Sequence, residues 1–159
     1  MSGAGRPTGR QLAAENVRLA IVATRWNADL VEVMTERAMV CARESGTAAP
    51  TLVYAAGAIE LPVIAQQLAR THDAVVALGA VIRGGTPHFE YVCDAVTYGL
   101  TRIALDESTP VGNGVLTCDT HEQAVARSGG PGASEDKGYE ATHAALDAAL
   151  TLQALKGTE

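Results

Sequence analysis

From residue 17 onward the chain alternates between two hydrophobic periods. Residues 17–24 (VRLAIVAT) form a compact apolar run of strand length. Leu30, Val33, Met34, Ala38, Cys41 and Ala42 then recur at helical spacing, with Asn27 placed to cap the helix and Gly46 to stop it. A second strand, Thr51–Ala55, runs into Gly57, and Pro62 falls where a first helical turn tolerates proline. The third strand, Ala74–Ile82, is almost wholly apolar, as a central strand buried on both faces must be. After the break at residues 83–87 a helix is predicted over 88–105, and a fourth strand over 111–117. Thr120 and Gln123 form a capping box for a helix running to Gly129. A loop follows at 129–134, then a long helix over 137–155 with Ala141, Ala145, Ala148, Leu152 and Leu155 on one stripe.

Strands alternating with helices predict an α/β fold: a flavodoxin-like three-layer αβα sandwich around a central four-stranded parallel sheet. Residues 1–10, rich in Gly and lacking a hydrophobic pattern, read as a flexible arm, and residues 11–159 as one domain. In open α/β sheets ligands bind outside the carboxyl ends of the strands. That rule points to residues 24–27, 57–60, 82–88 and 112–114.

Composition narrows the picture. A length of 159 residues with 47% apolar and 19% charged residues suits one globular domain with a substantial core. Ala, Val and Leu carry the apolar share, against one Phe and one Trp, which favours close packing of helix on sheet. A net charge of −6 excludes the basic face that nucleic acid requires. Cys41, Cys93 and Cys118 form no CxxC pair, so neither a disulfide framework nor a metal site is expected. No stretch reads as a signal peptide or membrane span, which predicts a cytoplasmic protein without a membrane partner.

The segment Val81-Ile82-Arg83-Gly84-Gly85-Thr86-Pro87-His88-Phe89-Glu90 is the richest in chemistry. A buried strand ends, two glycines admit close approach to the backbone, and a helix begins. Its N–H groups and the Thr86 hydroxyl would cradle a phosphate, with His88 at the lip able to exchange protons near neutrality. The same spacing also fits a plain glycine turn with a surface histidine. Arg127 is placed either to complement a helix C-terminus or to grip a phosphate. Lys137 opens a helix, where the dipole disfavours a cation, and Glu60 precedes one, where a carboxylate is welcome whatever its function. Asn27 has the same ambiguity as a cap. Trp26 lies outside both periodic patterns, at a strand-to-helix turn, and offers a stacking platform.

At these segments the chain resembles the lumazine synthases over about residues 17–155. The marks are Arg25-Trp26-Asn27, Gly57-Ala58-Ile59-Glu60-Leu61-Pro62, Ala77-Leu78-Gly79 with Val81-Ile82-Arg83-Gly84, Thr86-Pro87-His88-Phe89-Glu90-Tyr91-Val92, and Lys137-Gly138, in register. The resemblance implies condensation of 5-amino-6-(D-ribitylamino)uracil with 3,4-dihydroxy-2-butanone 4-phosphate, without a cofactor. It implies that Trp26 stacks on the pyrimidine where relatives usually carry Phe, with Asn27 beside it. Ala58, Ile59 and Glu60 would receive the ribityl chain and ring, and Ala80, Val81 and Ile82 the pyrimidine edge. Gly85, Thr86, Arg127 and Lys137 would hold the phosphate, and His88 would move protons. It further implies a homopentamer with sites between subunits, Asn113 donated by a neighbour, and the N-terminal arm added as a strand to the adjacent sheet. Gly85 and Asn113 depart from residues frequent at those positions, Gln or Ala and an aromatic. Two other classes share the fold: a non-catalytic lumazine or flavin binder, and a shell or carrier protein.

Overall fold

The computed structural model describes residues 10–157, and the notion of an N-terminal arm adding a strand to a neighbour falls outside them. Four strands, β1 (Leu19–Thr24), β2 (Thr51–Ala55), β3 (Ala74–Ile82) and β4 (Val111–Cys118), pair in parallel in the order β2-β1-β3-β4. The helices are α1 (Ala28–Glu44), α2 (Leu61–Ala69), α3 (His88–Asp106), α4 (His121–Val125) and α5 (Lys137–Lys156), with a 3-10 turn at Ala58–Glu60. β1 and β3 are central, and Leu19–Ala23 and Ala74–Leu78 are fully buried or nearly so. Their uniform apolar runs follow from having a helical layer on each face.

Two clusters make the core. α1 and α5 pack with Ile21, Ala23, Val76, Leu78 and Leu116 on one face. α2 and α3 pack with Val22, Val75 and Ala77 on the other. Right-handed crossovers account for the division. The step β1→β2 runs one way and the steps β2→β3→β4 the other, so α1 falls on the opposite face from α2 and α3. The direction reverses between β1 and β3, and the carboxyl ends of these two strands form the switch point where α/β sheets bind ligands.

The two ends of the sheet are built differently. At the amino end, Asp73 accepts hydrogen bonds from the backbone N–H and the guanidinium of Arg18, at 2.9–3.0 Å. That triple contact holds the Asp73 carboxyl below its ordinary range. The carboxyl end carries the exposed turns.

Four expectations are corrected. Residues 112–114 lie in the middle of β4, paired with Val76, Ala77 and Leu78, while the carboxyl end of that strand is Cys118. The helix after Thr120 ends at Val125 rather than Gly129. The Ala126 carbonyl that would prolong it accepts from Ser134 N and Glu135 N instead. Thr120 Oγ1 does cap that helix by accepting from Gln123 N, but Gln123 Oε1 accepts from Asp119 N, one residue before the cap. On α5 the buried stripe is Gly138, Ala141, Thr142, Ala145, Leu146 and Ala149, whereas Ala148 and Leu155 are exposed. Alanine surrounds this helix, so spacing alone does not single out a face.

α5 sits very close to its neighbours. A Cβ on Gly138 would collide with the Met34 carbonyl oxygen of α1, and one on Gly112 of β4 with the Ala141 carbonyl oxygen of α5. Gly84 and Gly85, by contrast, have open space where a Cβ would go. Gly138→Ala is therefore expected to destabilise the fold by about 1–3 kcal/mol in denaturant unfolding, while Gly84→Ala changes it by less than about 0.5 kcal/mol. Equal stability of the two variants would contradict this packing.

Candidate active site at the carboxyl edge

β1 ends at Thr24, whose buried hydroxyl donates to the Trp26 carbonyl at 3.2 Å and turns the chain over the sheet edge. Trp26 follows with 72% of its surface exposed. Its ring borders Gly57, where a Cβ would lie 3.4 Å from Trp26 Cδ1. Thus the turn after β1 and the turn after β2 share one wall. Asn27 occupies the N-cap position of α1, but its side chain makes no cap bond. The backbone there is left-handed, at φ 54°. The amide swings across the switch point instead, and Nδ2 donates to the Ala80 carbonyl at 2.8 Å. One side chain thereby fixes the spacing between the β1 turn and the end of β3.

Ala58, Ile59 and Glu60 form the 3-10 turn behind Trp26. Ile59 is half-exposed, and Glu60 Oε2 accepts from Gly57 N at 2.9 Å, so one carboxylate oxygen serves the turn. Among the described residues, Oε1 takes no hydrogen bond. On β3 the three predicted positions diverge. The Ala80 side chain is buried in the core beneath α1 and α5 and Ile82 packs against the same cluster, while Val81 packs towards α2 and α3.

The turn from β3 to α3 is exposed from Arg83 through His88. Pro87 is the N-cap of α3 and has no N–H to give, so Gly85, Thr86, His88 and Phe89 supply the donors there. Neither Gly84 nor Gly85 has positive φ, and neither is crowded. The fold of this chain does not itself demand glycine at either place, which leaves the backbone uncovered for another molecule. His88 is the first residue of α3 and exposed, and its ring makes no hydrogen bond among the described residues.

A residue not singled out by its own chemistry in the sequence holds this turn. Arg83 donates to Glu90 through Nη1 and to Asp119 through Nε at 2.7 Å, and its guanidinium lies 4.3 Å from the Phe89 ring centroid. Its N–H also donates to the Cys118 carbonyl. The Arg83–Glu90 pair closes residues 84–89 into a loop and holds the Glu90 carboxyl below its ordinary range. The sequence signal was the charge spacing across the glycines.

Arg127 and Lys137 come together beyond β4. Lys137 N donates to the Arg127 carbonyl, and Arg127 Nη1 donates to the Gln123 carbonyl at 2.8 Å, closing α4. Asn113 is not near this edge. It pairs with Ala77 in the middle of β4, exposed, and its Oδ1 accepts from Val115 N. Three residues separate it from the Leu116–Ala80 pair, about 10 Å along the strand. Burial raises all three thiols, Cys41 to about 11, so none is a ready nucleophile.

The arrangement joins an aromatic face, a carboxylate oxygen, a strip of backbone donors, an imidazole and, beyond β4, two cations. The fold is that of a flavodoxin-type α/β protein, and these groups lie at or near the carboxyl edge where its switch point falls. Known sequences give that class a family. The model of the 6,7-dimethyl-8-ribityllumazine synthase family matches residues 16–153. A 6,7-dimethyl-8-ribityllumazine synthase of Saccharopolyspora erythraea is 63% identical over all of this chain and 96% of the relative. That of Thermobifida fusca is 61% identical over 98% of this chain and 91% of its own, and that of Corynebacterium glutamicum (strain R) 56% identical over 100% and 99%. The chain belongs to the 6,7-dimethyl-8-ribityllumazine synthase family.

Asn27→Ala is expected to cost about 2 kcal/mol in equilibrium unfolding, from the left-handed backbone and the lost bond to Ala80 together. Asn27→Gly keeps the backbone and should cost about half as much. Equal losses for the two variants would mean that the backbone conformation contributes nothing.

Proposed function

We propose that this chain makes 6,7-dimethyl-8-ribityllumazine, condensing 5-amino-6-(D-ribitylamino)uracil with 3,4-dihydroxy-2-butanone 4-phosphate and releasing water and inorganic phosphate. The observation that carries the reading is the Asn27–Ala80 bond at the switch point, which ties the turn bearing Trp26 to the end of β3, from which the glycine turn leads to His88. In this reading Trp26 stacks on the pyrimidine, and the turn of Ala58, Ile59 and Glu60 receives the ribityl chain through backbone groups and Glu60 Oε1. The peptide groups of Ala80, Val81 and Ile82 border the ring edge. The N–H groups of Gly85 and Thr86 take the phosphate, with Arg127 and Lys137 balancing its charge.

The chemistry asks little more of the protein. The uracil amine attacks the butanone carbonyl and a first water leaves to give the imine. Proton removal beside it expels inorganic phosphate and leaves an enol, which tautomerises to a methyl ketone. The ribitylamino nitrogen attacks that ketone to close the ring with loss of a second water. His88 moves protons in these steps, from a position beside the phosphate-binding turn. Holding two reactive molecules together supplies much of the acceleration.

The same reading makes the protein a homopentamer in the cytoplasm with active sites shared between subunits. Two features support association. Tyr91, Tyr98 and Leu105, at seven-residue spacing along α3, each leave about seven-tenths of their surface exposed, a stripe that a second copy would cover. Asn113 is exposed about 10 Å along β4 from the Leu116–Ala80 pair, and in this reading it serves a neighbour's site. In this reading the connection at 129–134, which contains Pro131 and is longer than the short glycine-lysine kink of shell-forming members, keeps the pentamer from assembling further. No helix among the described residues is long and apolar enough to cross a membrane.

The test is the growth of lumazine absorbance when the protein is mixed with both substrates. The wild-type chain is expected to exceed the spontaneous rate, and His88→Ala to be slower by about 10²-fold with a measurable remainder. A folded oligomer that binds lumazine yet gives no acceleration would replace this reading with a non-catalytic binder.

A further inference from the structure

The cations assigned to phosphate do not stand alone. Glu135 lies between them, with Oε2 2.6 Å from Lys137 Nζ and Oε1 3.7 Å from Arg127 Nε. Glu140, one helical turn into α5, adds a second carboxylate at 2.7 Å from Lys137 Nζ. All of this is partly shielded from water, and the Lys137 side chain is only 16% exposed. The backbone fixes Glu135 as firmly as its partners. Its N–H donates to the Ala126 carbonyl, two residues on Lys137 N donates to the Arg127 carbonyl, and Ser128 and Asp136 form a bridge between the same two segments. Arg127 is held from two sides, through Nη1 by the Gln123 carbonyl and near Nε by Glu135.

Two positive and two negative charges make this cluster neutral before any ligand arrives. A bare arginine–lysine pair would hold a phosphate dianion more tightly, and it would hold the product phosphate as tightly as the ester. Carboxylates between the cations weaken both alike, through charge at distances where the Coulomb term is large. Binding energy common to substrate and product lowers KM without raising turnover, and it slows release.

We infer that Glu135 is a positioning residue that sets the strength of the anion site: it locks Arg127 and Lys137 into one unit and offsets their charge, so that inorganic phosphate leaves readily. This rests on the assignment of Arg127 and Lys137 to the phosphate.

The experiment measures inhibition of lumazine formation by inorganic phosphate, with KM for the butanone phosphate and kcat, in the full chain and four variants. Glu135→Gln is expected to tighten phosphate inhibition and lower KM by roughly five- to tenfold, with kcat unchanged or reduced. Glu135→Asp should restore wild-type values to within about twofold. Glu140→Gln, which removes the charge of the carboxylate 2.7 Å from the same lysine, should act in the same direction and more weakly, and provides the charge test if Glu135→Gln misfolds. Arg127→Gln is the control for the underlying assignment and should weaken phosphate inhibition at least tenfold. If Arg127→Gln leaves phosphate inhibition unchanged, the assignment of this cluster to the phosphate fails, and the inference with it. If Arg127→Gln weakens inhibition while Glu135→Gln and Glu140→Gln leave it unchanged or weaken it, the assignment stands and the role of Glu135 is overturned.

Discussion

The geometry of the carboxyl edge depends on how closely α5 is seated against the rest of the domain. Gly138 faces the Met34 carbonyl of α1 and Gly112 faces the Ala141 carbonyl of α5, with no room for a Cβ at either. Ala141, Ala145 and Ala149 continue the same surface. This is why a core nearly free of aromatic residues packs well: small side chains let backbones approach, and the contact area comes from proximity rather than bulk. The first turn of α5 is the part most constrained. Lys137 is positioned by Gly138, which packs directly on the α1 backbone, and by its own N–H on the Arg127 carbonyl.

The opposite ends of the sheet divide the labour. Asp73 and Arg18 close the amino end with polar groups that satisfy one another. At the carboxyl end Asn27 adopts a strained conformation, joins β1 to β3 across the switch point, and leaves Trp26 exposed. What singles out this edge as the candidate site is a left-handed Asn27 whose side chain bridges two strands, directly beside an exposed tryptophan.

Much of the fold was legible because its signals are local. The bounds of β2 and β3 follow from apolar runs ended by glycine or charge, and the start of α3 from Pro87. The end of α4 was not legible, since it is set by Ser134 and Glu135 reaching back to the Ala126 carbonyl. Nor was the buried face of α5, where alanine on all sides erases the periodicity. For the site, the positions of Trp26, Glu60 and His88 at strand ends could be read from sequence. Two features needed coordinates. Asn27 reads as an ordinary cap until its left-handed φ shows the side chain pointing elsewhere. Glu135 reads as loop charge until the chain reversal at residues 128–136 brings it between two cations.

Trp26 is the only tryptophan of the chain, and under the proposed function it is the ring on which the heterocycle rests. Titrating the protein with 6,7-dimethyl-8-ribityllumazine while following tryptophan emission, corrected for absorption by the ligand, tests this directly. The account predicts saturable quenching whose midpoint matches the affinity found by equilibrium dialysis. Saturable binding in dialysis with unchanged Trp26 emission would place the ligand elsewhere and contradict it.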